Sequence, residues 1–428
     1  MVGFHAVSWF IVFFIIEQNL IRAQSYASAS HPHHRYGIRR TTPSETGEIS
    51  DPLKGRRIVC VYNNNNYYSS KFQPKMIDSL ICTHVNYEFA ILDPKTYELV
   101  PGEPSLDIQM GFYDDAVGLK NTNPNLKVLL SMGGWKDSTK KYSELVESES
   151  RMDNFIEKAV PFLKKHNFDG LDIAWEYPNC WQGDLGVSPK DKPNFAAFLK
   201  KLRTKFDTED LLLSISVGAV RREILAAYEG PTVSSEVDFV NVMTYDMHGP
   251  WERRTGHHAQ FDRKAIDTDQ YLNMKSALEV WTNMGVDKRK LNIGVPTYAT
   301  TYTLVDARRH GMGAPAKGSG RPGPKSKQGG LLCYNEICQW LNKGNWTEDE
   351  DKEHGFYAFS GDQWASYDPP MMLVRKAKWT IENGFGGLLV KDCSCDDYEG
   401  ICFSMPNPLI KMARMEMVQK VKKLAELN

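Results

Sequence analysis

The sequence predicts a (β/α)8 barrel, an α/β fold of the TIM-barrel type, with a small α+β insertion between strands seven and eight. Three observations carry that expectation. Eight short apolar runs recur along 428 residues, helical spacing fills the intervals, and a single long gap separates the seventh run from the eighth. The runs are residues 58–62, 83–89, 127–131, 170–175, 212–217, 239–244, 292–297 and 387–391, several rich in Val, Ile or Leu and ending on polar or aromatic residues. Phe155, Val160, Phe162 and Leu163 give helical spacing before the fourth run. Ile410, Ala413, Met417, Val421 and Leu424 give it again at the end, as a closing helix would. The gap, residues 302–370, holds a Gly/Pro/Lys-rich stretch followed by Leu332 to Cys338, and is expected to form the insertion within a barrel of residues 56–428.

Ahead of the barrel, residues 7–16 are apolar and stop at Glu17, and Ala23 offers a small residue for cleavage. The run is shorter than the roughly 20 residues that a membrane span needs, so residues 1–23 are expected to be a secretory signal peptide and the protein extracellular. Residues 24–55 are rich in Ser, His, Thr, Arg and Pro and read as a linker that cannot bury enough surface to fold. His31, His33 and His34 have no accompanying ligands there, so a solvated tail is the better reading than a metal site. Net charge is −1, which gives no general electrostatic case for nucleic acid or an anionic membrane. A monomer without metal or cofactor is expected. Eight cysteines in an exported chain point to disulfides, and Asn345-Trp346-Thr347 is an N-glycosylation sequon.

Residues 168–178 read F-D-G-L-D-I-A-W-E-Y-P. In a strand, side chains alternate between faces, so Asp172, Ala174 and Glu176 point one way and Leu171, Ile173 and Trp175 the other. A barrel strand aims the first set into the lumen. A parallel strand buried on both faces should be nearly all apolar, so the acids argue for chemistry rather than for an ordinary core strand ending in solvent.

This run resembles the signature D-x-x-D-x-D-x-E of glycoside hydrolase family 18, the chitinases and chitinase-like lectins. The resemblance extends from about Arg57 to Phe403 through Cys82-Thr83-His84 to Phe89-Ala90, Ser131-Met132-Gly133-Gly134-Trp135, Met243-Thr244-Tyr245-Asp246, His248-Gly249-Pro250-Trp251-Glu252, Gly294-Val295-Pro296-Thr297-Tyr298 and Asp396-Asp397-Tyr398. In that family the substrate's own N-acetyl group is the nucleophile, an exception to the usual two-carboxylate scheme. The resemblance implies that Glu176 is the proton donor and that Tyr245 and Asp246 bind the acetamide oxygen and sugar hydroxyls. Asp172 lies one pleat deeper. Phe89, Trp135, Met243, Trp251 and Tyr298 are the implied substrate-binding residues. The carboxylate that should hold the acetamide N–H is replaced by Ala174, whose methyl group accepts no hydrogen bond and carries no charge.

Other departures surround the same subsite. The family's strand-eight Trp, a floor under the reacting sugar, is Lys391 here. Its Tyr-Gly-Arg is Tyr298-Ala299-Thr300, and two further aromatics fall at Val61 and within the run 63–66. Lys391 suggests an ion pair with Asp172 or Glu176 that would lower the acid's pKa, with a turn to solvent as the alternative. The resemblance also implies disulfides Cys60–Cys82 and Cys338–Cys402. Cys180, Cys333, Cys393 and Cys395 then allow three connectivities. Cys393-x-Cys395 beside Asp396 is weighed as a metal site, with a disulfide or buried thiols preferred. The basic loop of Lys317, Arg321, Lys325 and Lys327 is weighed as a site for an anionic glycan, with a solvated loop preferred. The expected function is a secreted chitinase-like protein with little or no hydrolysis that binds chitin or N-acetylglucosamine oligomers. The alternatives are a slow or altered chitinase using Glu176, and an interaction protein that uses the barrel only as a scaffold.

Overall fold

Each of the eight apolar runs becomes a strand in the computed structural model, which describes residues 51–181, 184–185, 187–263, 267 and 269–427. They are β1 (Arg57–Asn63), β2 (His84–Leu92), β3 (Lys127–Gly133), β4 (Gly170–Ala174), β5 (Leu212–Val217), β6 (Phe239–Val242), β7 (Leu291–Pro296) and β8 (Gly387–Lys391). Neighbours pair in parallel throughout, and β1 pairs with both β2 and β8, which closes the barrel. Residues 1–50, which hold the expected signal peptide and most of the expected linker with His31, His33 and His34, lie outside the described residues; the last part of the expected linker, 51–55, is instead folded, with Leu53 buried in the core and Asp51 accepting from Leu53 N.

Alternation sorts the side chains as a closed parallel sheet requires. Leu171 and Ile173 of β4 and Leu213, Ile215 and Val217 of β5 join the large core between sheet and helices. Trp175, just past β4, stacks on Tyr142 at 5.7 Å and meets Phe195 edge-on at 5.6 Å. Inside, Val59, Leu129, Phe239 and Leu389 plug the lumen. The helix Glu149–Lys165 illustrates the outer layer. Ser148 caps it by accepting from Arg151 N, Glu149 and Lys164/Lys165 sit at the favourable ends of its dipole, and Met152, Phe155, Ile156, Ala159, Val160 and Leu163 bury one face. The final helix spans Pro408–Leu427 and buries Ile410, Ala413, Met417 and Val421 against Pro370–Glu382, while Leu424 turns outward.

Between β7 and β8 the chain builds an antiparallel sheet. Its first strand, Tyr298–Leu304, starts directly above β7, four residues before the expected start at 302. It pairs with Ala316–Ser319, Leu331–Cys333 and Gln363–Ser366. Gly355–Ser360 and Thr347–Asp351 extend the sheet, and the helix Tyr334–Asn342 completes it. Three disulfides form: Cys60–Cys82, Cys338–Cys402 and Cys333–Cys395. The last two tie the insertion to the segment after β8. Cys180 and Cys393 are buried outside these three bonds. The weighed metal site at Cys393-x-Cys395 therefore loses its second sulfur, and Asp396 accepts instead from the backbone N–H groups of Asp397, Leu409 and Ile410. The basic loop is neutralised locally: Arg321 and Lys317 meet Asp362, and Lys325 meets Glu399.

Candidate functional site

The site lies where the strands end. At the top of β3, Gly133 and Gly134 both take φ values of the left-handed side, +122° and +95°. A Cβ on Gly133 would sit 2.3 Å from the Ala174 carbonyl oxygen, and one on Gly134 would sit 2.7 Å from the Phe89 ring. Only glycines let β2, β3 and β4 approach this closely while Gly134 N donates to Ala174 O (2.8 Å) and Trp135 swings out over the mouth.

Asp172, on the lumen face of β4, is fully buried. Its carboxylate accepts from the hydroxyls of Ser131 (2.6 Å), Ser214 (2.6 Å) and Ser216 (2.9 Å) and from Asn241 Nδ2 (3.2 Å). Burial raises its pKa and these four donors pull it back. Each oxygen already holds two donors, so Asp172 anchors the strands and has no capacity left to replace the acceptor missing at 174. Ala174, one pleat above, is buried and presents a methyl group to the lumen.

Glu176 follows the end of β4 and is half-buried. Among the described residues its carboxyl has no hydrogen-bond partner. The flanking chain is held from behind: Trp175 Nε1 donates to Thr139 Oγ1 (2.5 Å), which donates to Tyr177 O (3.3 Å). Burial pushes the Glu176 pKa up to about 8, opposed by Lys391 and assisted by the negative charges of Glu88, Asp246 and Glu223.

Lys391 corrects an expectation. It pairs with neither Asp172 nor Glu176, nor does it turn to solvent. Its Nζ bonds Glu88 Oε2 on β2, across β1, and lies 5.5 Å over the Phe89 ring. Lys391 nevertheless does not bring Glu176 into the ordinary carboxylate range, because burial outweighs its field. Burial also lifts Glu88, to about 7, against the pull of Lys391. For Lys391, burial works against the charge, but the Glu88 pair outweighs it and the pKa rises. Glu88, Glu176 and Lys391 are each followed by a cis peptide bond.

On the opposite wall, Asp246 sits at φ +56°, a conformation that short polar side chains tolerate. Its Oδ2 accepts from Tyr298 OH (2.7 Å), and its Oδ1 lies 3.3 Å from His258 Nδ1. Tyr245 meets Tyr298 edge-on at 6.1 Å, and Met243 packs among the lumen side chains. Burial holds both phenols well above their usual pKa, so they act as hydroxyl donors. Trp135 is 47% exposed and Trp251 66% exposed, as open platforms would be. Gly249 permits the second, since a Cβ there would fall 2.1 Å from the Trp251 ring.

Two residues escaped sequence reasoning, Glu88 and His258. Glu88 carried a usable signal, because an acid inside a buried parallel strand is as anomalous on β2 as on β4. His258 carried none. The run after β1 is committed elsewhere: Asn63 caps a short turn through Asn65 N and reaches Glu88 (3.5 Å), and Asn66 Nδ2 donates to Asp392 (2.7 Å). Among the described residues, the one cluster with metal-ligand proximity is Cys338, Asp397 and Cys402, and its sulfurs are joined as a disulfide.

Comparison with known proteins places this geometry. The model for "Glycosyl hydrolases family 18" matches residues 57–396. Probable chitinase 10 of Drosophila melanogaster is 34% identical over 386 residues, a match that takes 88% of this chain but 17% of that protein. Catalytic domain 2 of the group II chitinase of Ostrinia furnacalis superposes with a TM-score of 0.82 at 36% identity, covering 85% of this chain and 96% of the other. Human YKL-39, described as a pseudo-chitinase with retained chitooligosaccharide binding properties, superposes at 0.77 with 30% identity, covering 85% and 99%. With the family model matching residues 57–396, which include all eight barrel strands, the chain belongs to glycosyl hydrolase family 18.

Proposed function

We propose that this protein is a chitinase-like lectin whose barrel cleft holds chitooligosaccharides with little or no hydrolysis. The carrying observation is Ala174, a methyl group on the lumen face two residues before Glu176. Substrate-assisted cleavage needs a charge-bearing group to orient the acetamide and to stabilise the cationic ring, and loss of one such preorganised group costs roughly 10² to 10³ in rate. The saturated coordination of Asp172 supports the reading, because that carboxylate cannot substitute. Trp135 and Trp251 support binding, since a sugar's C–H face stacks on an exposed indole. The pseudo-chitinase described for YKL-39 is a precedent within the family.

One observation favours a second reading, a slow chitinase. Glu176 holds its proton near neutrality and so keeps the property a general acid requires. Turnover of a chromogenic chitotrioside separates the two. The expected result is background rate, unchanged by Glu176→Gln; brisk turnover abolished by that substitution would establish the second reading. Calorimetric titration with the tetramer of N-acetylglucosamine tests the lectin, and absence of any binding would leave the barrel as a scaffold.

The same reading makes the protein extracellular. Three disulfides suit an oxidising compartment, and Asn345, on the turn before the strand Thr347–Asp351, and Thr347, the first residue of that strand, are exposed and open to glycosylation. No helix among the described residues is long and apolar enough to cross a membrane. Mass analysis of protein from the culture medium, before and after glycosidase treatment, tests export and the glycan together.

A further inference from the structure

The inner subsite differs from its surroundings in charge as well as shape. Its wall at 174 is a methyl group, so an acetamide N–H placed there would lose its hydrogen bond to water and gain none. Its floor is the Glu88–Lys391 pair in place of a ring. Glu176, two residues past Ala174 and just beyond the end of β4, lies in the field of Lys391, Glu88 and Asp246. Asp246 closes the far side, with one oxygen held by Tyr298. Three carboxyl groups thus face the subsite against one ammonium, and that ammonium is already bonded to Glu88.

We propose that this subsite takes a glucosamine unit through its ammonium group, so that the cleft is selective for partly or fully de-N-acetylated β-1,4-linked chains. The inference rests on the reading that the cleft binds chito-oligomers, and it names which kind. The ammonium replaces the bulky, unmatched acetamide and meets the Glu176 carboxylate. The platforms at Trp135 and Trp251 are indifferent to the change, because stacking uses the C–H face of the ring. General attraction of a polycation is small, since the net charge of the whole chain is −1.

The selectivity has a protonic signature. The charged groups facing Glu176 are Lys391 from β8, Glu88 from β2, Asp246 after β6 and Glu223 from the helix Arg221–Ala227. Tyr177, Tyr228 and Tyr245 also face it, and burial keeps all three neutral. Glu176 is therefore largely protonated at pH 6.5, and an arriving ammonium expels that proton. Binding of a glucosamine chain must release protons and strengthen from pH 6 towards pH 7. Binding of the acetylated chain, which is uncharged, must not.

The test is calorimetric titration of the full chain with the tetramers of glucosamine and of N-acetylglucosamine, at pH 6.5 in two buffers of different ionisation enthalpy. The glucosamine tetramer is expected to bind about tenfold more tightly, the scale of one charge-assisted hydrogen bond, with proton release. Glu176→Gln should abolish both the preference and the release. Lys391→Met, which removes the like charge, should widen the preference. Equal or tighter binding of the acetylated tetramer, with Glu176→Gln weakening both ligands alike, would overturn the inference and leave the lectin reading intact. Failure of both tetramers to bind would overturn the two together.

Discussion

Asp172 and Glu88 are lumen carboxylates with a single strand between them, yet they are satisfied in opposite ways. The registers put Glu88 beside Ser131 and Ser131 beside Asp172. Asp172 is surrounded by four neutral donors, from the neighbouring β3 and β5 and from β6 beyond, all pointing at it. Glu88 has one strong partner, a lysine two strands away on a flexible stem. A carboxylate held by preorganised neutral dipoles is a fixed part of the scaffold, because none of its partners can leave without unfolding a strand. A carboxylate held by a single cation at the mouth can exchange that cation for another. The difference separates the structural floor of the barrel from the working surface above it.

The sharpest way to break the comparison is to remove the scaffold acid. Asp172→Ala strands three serine hydroxyls and the Asn241 amide in a buried lumen, and unsatisfied buried groups cost about 1–3 kcal/mol each before they re-pair. A loss of at least about 3 kcal/mol is expected in urea unfolding, with Asp172→Asn falling between it and the parent. A loss below 1 kcal/mol would show that the four donors find other partners. The mouth pair should yield less. Lys391→Met leaves Glu88 buried without a cation, and a cost of about 2 kcal/mol is expected, below the 3–5 typical of a fully buried pair because Lys391 keeps some contact with solvent. Adding Glu88→Gln should restore most of it, and a double-mutant cycle with coupling near zero would mean that the pair is incidental.

The scaffold was readable in the sequence for the same reason that it is stable. Parallel strands buried on both faces must be apolar, so all eight announced themselves, and the acids of β4 stood out against that background. Glu88 is as anomalous on β2, where an acid interrupts the same apolar background. The partner of Lys391 was not readable. Alternation gives the face a side chain occupies, but not which residue a long stem reaches, and the partner lies 303 positions away on a strand that only barrel closure brings near. Likewise Cys333–Cys395 depends on where the insertion lands. Tyr298 belongs both to the mouth, through Asp246, and to the first strand of the insertion. The boundary near 302 missed that double role.

The gentlest perturbation is pH, and it sharpens the contrast between floor and mouth. Glu88 and Glu176 have folded pKa values near 7 and 8, above the ordinary carboxylate value expected in the unfolded chain. Between those limits the folded protein holds protons that the unfolded chain has released. Stability from these groups is therefore complete below about pH 4.5 and declines as pH rises towards 8. Glu176→Gln, which cannot ionise, should flatten the decline between pH 6 and 8. The difference between the two curves should be on the order of 1 kcal/mol, kept small because a half-buried carboxylate rehydrates when it charges. Urea midpoints across that range measure it. Parallel curves would mean that Glu176 titrates in the ordinary carboxylate range. The mouth would then carry a standing negative charge at neutral pH, and the acid would lack the proton that a slow hydrolase reading requires.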